Sequence, residues 1–238
     1  MTNPKQTMEN NKIQALESLN QAFGPLGFEA RIQTFYQLFA AEQVLVTSSF
    51  GTTSAMLLHL ISRYNARQKI HFIDTGYHFA ETLTYKKQLA RELGLAVVDI
   101  QPEATAHAQT RQAQLWREDP DRCCQINKVA PLNQVKAQYQ VWMSGLMGYQ
   151  TDFRAEQRIF ERSGHLLKFH PLIDLEEAEF LYYKGYHQLP EHPLQALGYG
   201  SIGCTHCTEK GAGRSGRWLG QEKTECGLHP GYWANKLR

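Results

Sequence analysis

A chain of 238 residues with a formal net charge of +2 is long enough to bury a full core as one generous domain. Its charge balance is too even to mark a nucleic-acid binder, although it leaves room for a local basic pocket around a small anion. The first twelve residues are polar, and no apolar run approaches the roughly 20 residues a membrane helix needs, so a soluble, unexported, cytoplasmic protein without membrane or nucleic-acid partners is expected.

Ile13, Leu16, Leu19 and Phe23 fall at helical spacing, and Phe28, Ile32, Phe35 and Leu38 repeat the pattern after Gly24-Pro25. Two amphipathic helices packed outside the rest are predicted. The rhythm then alternates: strand Val44–Thr47, helix Ser54–Tyr64, strand Ile70–Ile73, helix Phe79–Leu93, strand Ala96–Ile100. Such alternation predicts an α/β fold, a mostly parallel sheet with helices on both faces. Gln101 to Pro120 is polar and without period, which suggests a loop or frayed helix. Cys123 to Tyr139 reads as helix, although Pro131 should start or kink one. Gln140–Gly145 and His165–Leu172 are the fourth and fifth strands. Asp174 with Glu177 resembles a capping box that opens a helix over Leu175–Tyr186, and the chain is loop-rich beyond Leu189-Pro190. With no linker and no internal repeat, residues 1–210 form a single domain and residues 211–238 a mobile tail that starts rich in glycine and arginine.

Two βα junctions carry polar groups at the carboxyl edge of the sheet. Ser48-Ser49-Phe50-Gly51-Thr52-Thr53-Ser54 offers backbone N–H groups, hydroxyls and a helix start, an anion site, although an ordinary capped turn reads the same way. It lacks the ending of a Walker loop. Asp74-Thr75-Gly76 adds a carboxylate and a hydroxyl at the edge where open α/β sheets bind ligands; Asp74 either meets a ribose or base or caps the following helix.

Five cysteines, an odd and clustered set in an unexported chain, argue for metal or redox chemistry over disulfides. Cys123-Cys124 and Cys204-Thr205-His206-Cys207 suit either tetrahedral zinc or an iron–sulfur cluster. Lys128, four residues after Cys124, shares its helical face. Cys226 stands apart in Glu225-Cys226-Gly227-Leu228-His229. Arg214 and Arg217 precede it, and nearby cations favour the nucleophilic thiolate.

In this order, the serine loop, the Asp74-Thr75-Gly76 turn, Cys123-Cys124 with Lys128, the Cys204–Cys207 pair and the final Glu-Cys-Gly-Leu-His resemble the assimilatory sulfonucleotide reductases, and among them the iron–sulfur adenylyl-sulfate branch. The resemblance implies an adenine nucleotide α-hydrolase-like fold and a 4Fe–4S cluster on Cys123, Cys124, Cys204 and Cys207. Adjacent cysteines also fit a single zinc poorly. It implies a nucleotide site that includes Ser48, Ser49, Phe50, Gly51, Asp74 and Thr75, Lys128 between cluster and substrate, Arg214 and Arg217 on the sulfate, and His229 beside the thiol. Cys226 would attack the sulfur of adenylyl sulfate to give S-sulfocysteine, and thioredoxin or glutaredoxin would release sulfite. The assembly state, homo-oligomer or monomer, is left open.

One departure concerns anion binding. Similar chains carry Gly-x-Arg-x-x-Gln after the fourth strand. Here Gly145-Leu146-Met147-Gly148-Tyr149-Gln150 puts Met147 in place of the cation, so that contact is missing or comes from another residue such as Arg154. The alternatives are the same reaction on the 3′-phosphorylated substrate and, more distantly, an iron–sulfur nucleotide transferase of the same fold. The transferase would need a Ser-Gly-Gly-x-Asp-Ser loop, which is absent. A non-enzymatic metal protein is the third, and it would make Cys226→Ser silent.

Overall fold

In the computed structural model, which describes residues 4–220 together with Lys223, Glu225, Gly227 and Leu228, the spacing at the amino end becomes α1 (Pro4–Phe23) and α2 (Phe28–Leu38). Then follow β1 (Val44–Thr47), α3 (Ser54–Tyr64), β2 (Ile70–Ile73), α4 (Ala80–Glu92), β3 (Val97–Ile100), α5 (Ala104–Gln112), α6 (Leu115–Glu118) and α7 (Pro120–Cys124). After a widened turn come α8 (Ala130–Lys136), β4 (Val141–Ser144), α9 (Asp152–Ala155), β5 (Phe160–Ser163), β6 (Leu166–Phe169) and α10 (Glu177–Tyr186). No helix among the described residues is long and apolar enough to cross a membrane.

The strands form one six-stranded sheet in the order β3-β2-β1-β4-β6-β5, parallel except for the β5–β6 pair. Period-two alternation divides their side chains between two layers. Val44, Val46, Ile70, Phe72, Val141, Met143 and Phe169 join the larger core, with residues of α2, α3, α4 and α10. Leu45, Trp142 and Leu166 face the other way, toward Ile100 and Leu132 of α8. Helices therefore cover both faces, as the alternation predicts.

Three local expectations are corrected. The stretch expected as a loop or frayed helix holds α5 and α6; α5 buries only Thr110, so its polar sequence carries no apolar period. The Glu103 carboxylate starts it by accepting from the Thr105 and Ala106 N–H groups at 2.8 and 2.7 Å. Strand β5 had no counterpart in the sequence reading. It is an edge strand with charged Glu161 and Arg162, joined to β6 through Gly164 at φ 63°, a backbone region suited to a tight hairpin. The box that opens α10 is Glu176 with Glu179, whose side chain accepts from the Glu176 N–H at 3.0 Å, and the helix begins at Glu177 rather than Leu175. Asp174 is taken instead by the buried Arg31 guanidinium, which holds its carboxyl below the usual range and also donates to the carbonyls of Phe23, Gly24 and Pro171. Arg31 thus ties the α1–α2 turn to the chain after β6.

His192 links α4 to the loops that follow α10. It is fully buried; the Leu194 N–H donates to its Nδ1 at 3.2 Å, and Nε2 meets Thr82 Oγ1 at 3.0 Å. Burial pushes its pKa down to about 4, so the folded state holds it neutral while the unfolded chain takes up a proton near pH 6.5. Stability present above that pH is lost as pH falls toward 4, by about 3 kcal/mol from this group. Thermal unfolding of wild type and His192→Asn across pH 4 to 7 checks this. The wild-type slope should be the steeper, and equal slopes would remove His192 from the account.

Candidate active site

The order of strands reverses between β1 and β4, where Thr47 and Ser144 are register partners, and a cavity of about 570 Å³ opens at their carboxyl ends. That volume falls in the roughly 300–1,000 Å³ range of small-molecule sites, at the place where open α/β sheets bind ligands. Ser48, Ser49 and Gly51 line it, together with the start of α3 at Ser54, so hydroxyls and the positive end of a helix dipole border the same space. His78 also lines it; burial pushes its imidazole down to about 4, and its Nε2 lies 2.9 Å from the Ile73 carbonyl.

Three residues expected on the substrate are not among those that line the cavity. Phe50 does not line the cavity. Its side chain is buried and meets Phe72 edge-on at 5.8 Å, while its backbone bends at φ 49° with its N–H on Ser48 Oγ. Asp74 also lies off the cavity wall and accepts from the Gly76 N–H at 3.0 Å, the turn-capping role. Thr75 is fully buried against the cysteines, with Oγ1 3.3 Å from Cys204 Sγ.

The four clustered cysteines share a second, small pocket with Thr75, Tyr77, Trp116, Asn127, Lys128 and His206. The predicted helix from Cys123 runs on through Lys136, but it widens here for a backbone reason. Pro131 has no N–H to return to the Asn127 carbonyl, and Gln125–Val129 widens into a π turn in which the Ala130 N–H reaches Gln125 O. Such turns concentrate at functional sites. The buried Asn127 of this turn donates to Cys123 O at 2.9 Å and to Thr110 Oγ1 at 3.2 Å, and its Oδ1 lies 2.9 Å from His107 Nδ1, so α5 braces the cysteine wall. Trp116 and His206 stack over the pocket at 4.0 Å.

Electrostatics sort the thiols. Burial pushes Cys123 up to about 12 and Cys207 up to about 11, with repulsion among the cysteines adding to both. Burial raises Cys204 too, but Lys128, the Thr75 hydroxyl and Arg217 outweigh it, and its pKa ends below the ordinary thiol value. Among the described residues, no three His, Cys, Asp or Glu side chains are grouped as a single-ion site. Lys128, carried by the π turn, lies in the walls of both the large cavity and the cysteine pocket.

The glycine-arginine segment, expected to be mobile, packs on the body through residue 220. Gly211 N–H donates to Gly198 O at 2.9 Å and Glu209 N–H to Gly216 O at 2.8 Å. A Cβ on Gly200 would sit 2.5 Å from Gly213 N, and one on Gly216 would collide with Glu209 O, so these glycines permit close backbone approach. Arg214 and Arg217 both line the cavity as expected. They lie 5.8 and 4.4 Å from the ring of the buried Trp218, and Lys223 lies 5.5 Å from it.

Glu225 lines the cavity too, and the sequence alone does not single it out. Its carboxylate is fully buried and accepts from Arg154 Nε at 2.7 Å, Arg154 Nη2 at 3.0 Å, Arg214 Nη2 at 3.1 Å and Thr151 Oγ1 at 3.2 Å. Arg154 Nη1 also holds Gln150 Oε1. Arg154 lines the cavity with its charge shared with a carboxylate of this chain, and Met147 is buried in the core. Two residues earlier, Lys223 donates to Asp121 Oδ1 at 2.7 Å and Pro120 O at 3.2 Å. Burial lowers its pKa, but Cys124 and Asp121 outweigh that, and the ammonium ends above its usual value. Cys226 and His229 lie outside the described residues.

Comparison with known proteins points the same way. The sequence pattern of the phosphoadenosine phosphosulfate reductase domain matches residues 43–210. The chain is 39% identical over 225 residues to an adenosine 5′-phosphosulfate reductase of Chelativorans sp. (strain BNC1), covering 92% of this chain and 91% of that one. It is 38% identical over 197 residues to the protein of the same name from Bacillus mycoides (strain KBAB4), covering 79% and 84%. The crystal structure of a phosphoadenylyl-sulfate reductase from Candida auris, in a phosphate complex, superposes with a TM-score of 0.70 at 23% identity, covering 82% of this chain and 96% of that one. At that identity the likeness shows the fold alone. The chain belongs to the sulfonucleotide reductase family, on its adenosine 5′-phosphosulfate branch.

Proposed function

We propose that this chain reduces adenylyl sulfate to sulfite and AMP in assimilatory sulfate reduction, with Cys226 as nucleophile and thioredoxin or glutaredoxin as electron source. The observation that carries the reading is Lys128, one ammonium in the walls of both a nucleotide-sized cavity and a pocket of four cysteines. The Cys226 thiolate attacks the sulfate sulfur, the bond from that sulfur to the bridging phosphate oxygen breaks, and AMP leaves with the electron pair. Lys128, Arg214 and Arg217 offset the anionic charge that would otherwise repel a thiolate. A thiolate of the reductant then attacks Sγ of the S-sulfocysteine, sulfite departs with the electron pair, and the second thiol of the reductant resolves the mixed disulfide. The dithiol supplies both electrons.

The donor set fits a 4Fe–4S cluster. Four thiols converge on one pocket, and a cubane takes one thiolate on each iron. Cys123, Cys124, Cys204 and Cys207 would hold it. Bound there, it supplies a fixed negative charge next to Lys128, and the reaction above draws no electrons from it.

The cavity favours the substrate without a 3′-phosphate. Two of its cations, Arg154 and Arg214, already bond a buried carboxylate, so an added phosphate dianion meets less net positive charge. Sulfite release from each sulfonucleotide, with thioredoxin supplied, tests both the reaction and the preference. Adenylyl sulfate should be used about a hundredfold more efficiently, as expected where a binding site must leave a charge unpaired. Equal or reversed efficiencies would overturn the preference, and no sulfite from either would overturn the function.

A further inference from the structure

The segment that carries Cys226 is anchored by two buried charges of opposite sign that reach different parts of the molecule. Glu225 is held on the cavity side by α9 through Arg154 and Thr151, and by Arg214. Lys223 turns the other way, onto α7, the helix that ends in Cys123-Cys124. Its ammonium bonds Asp121 Oδ1 and Pro120 O and lies close enough to Cys124 to interact with it. A buried lysine is rare unless paired, and this one is 5% exposed. A single aspartate at the surface end of α7, 23% exposed at its side chain, would be a modest partner for so buried a cation. Beside the Pro120 carbonyl and the Trp218 ring, 5.5 Å away, the cysteine wall is a further partner.

We infer that Lys223 is a positioning residue that couples docking of the 223–228 segment to the occupancy of the four-cysteine site. The inference rests on the cluster reading given above. Thiols bind metal as thiolates, so loading the site gathers negative charge in the wall beside Lys223, and emptying it removes that charge. The segment next to the nucleophile then docks firmly only over a loaded site. Docking places the thiol for transfer, and undocking exposes it to the reductant, so a chain that has lost its cluster would stop turning over before it unfolds. Lys128 faces the same thiols from the π turn, but it belongs to the body and carries no segment with it.

Hydrogen exchange of the peptide spanning 218–228, read by mass spectrometry, tests the coupling in four samples: wild type and Lys223→Met, each iron-loaded and iron-stripped under anaerobic conditions. Iron content is assayed in every sample. Stripping wild type should speed exchange of that peptide about tenfold, within the range of coupling between neighbouring groups. Loaded Lys223→Met should already exchange at the faster rate, and stripping it should add little. Lys223→Arg should restore the dependence, which separates the role of the charge from a folding defect. Equal acceleration by stripping in wild type and Lys223→Met, or none in wild type, would overturn the coupling while leaving the cluster in place. Wild type without iron in the assay would instead overturn the cluster reading beneath it.

Discussion

Cys226→Ser should release no sulfite, with a loss of about a thousandfold or more in turnover, in keeping with removal of a covalent nucleophile. Two separate physical reasons combine. A serine hydroxyl stays protonated where a thiol beside cations ionises, so the first displacement slows. Even a slow transfer would leave an O-sulfate ester, which has no sulfur–sulfur bond for a dithiol to cleave. The variant should still bind AMP, because the cavity at the β1–β4 switch is built from the body of the protein. Steady-state sulfite release together with AMP binding by calorimetry checks this. Normal turnover in the variant would remove Cys226 from the reaction.

Arg154→Met carries the second large effect. Removing one partner from a buried ion pair costs about 3–5 kcal/mol, because the other charge is left unpaired. Glu225 would lose two of its four bonds, both short and charge-assisted. Its segment has an alternative to remaining buried, which is to undock and hydrate the carboxylate. The expected result is therefore a fall in kcat of about a hundredfold from lost positioning, with a melting temperature close to wild type and a KM changed much less. Glu225→Gln keeps the shape and some of the hydrogen bonds and should lose about tenfold in kcat, and the double variant should be little worse than Arg154→Met alone. A large drop in melting temperature, or a change confined to KM, would mean that Arg154 serves the core or the substrate instead.

The parts of this molecule legible in its sequence are those whose cause is local. β1, β2 and β3 and the helices between them follow from short β-branched runs alternating with apolar helical faces, and the observed boundaries of β1 and β2 match the expected ones. The cysteine pairs and Lys128 were visible as spacing, and the structure brings them to one pocket. What was not legible depends on partners distant in the chain. Asp174 reads as a helix cap until Arg31, 143 residues away, is seen to hold it. Glu225 and Arg154, 71 residues apart, carry no mutual signal, and nothing local shows that the charge of Arg154 is shared. Thr75 looked like a ligand residue for its position at a strand end, and only the folded chain sets its hydroxyl on Cys204. The glycines around 211–216 read in the sequence as freedom to move, and only the folded chain shows the close approach of Gly216 to Glu209 that gives them a packing role.

The account depends on one transient bond, between the sulfur of the substrate and Sγ of Cys226. Incubating the purified protein with adenylyl sulfate and no reductant, then weighing its peptides, looks for that bond directly. The peptide holding Cys226 should gain the mass of one sulfonate, lose it again on addition of thioredoxin, and match the released sulfite in amount. A sulfonate on another cysteine, or sulfite formed while the Cys226 peptide stays unmodified, would contradict the account.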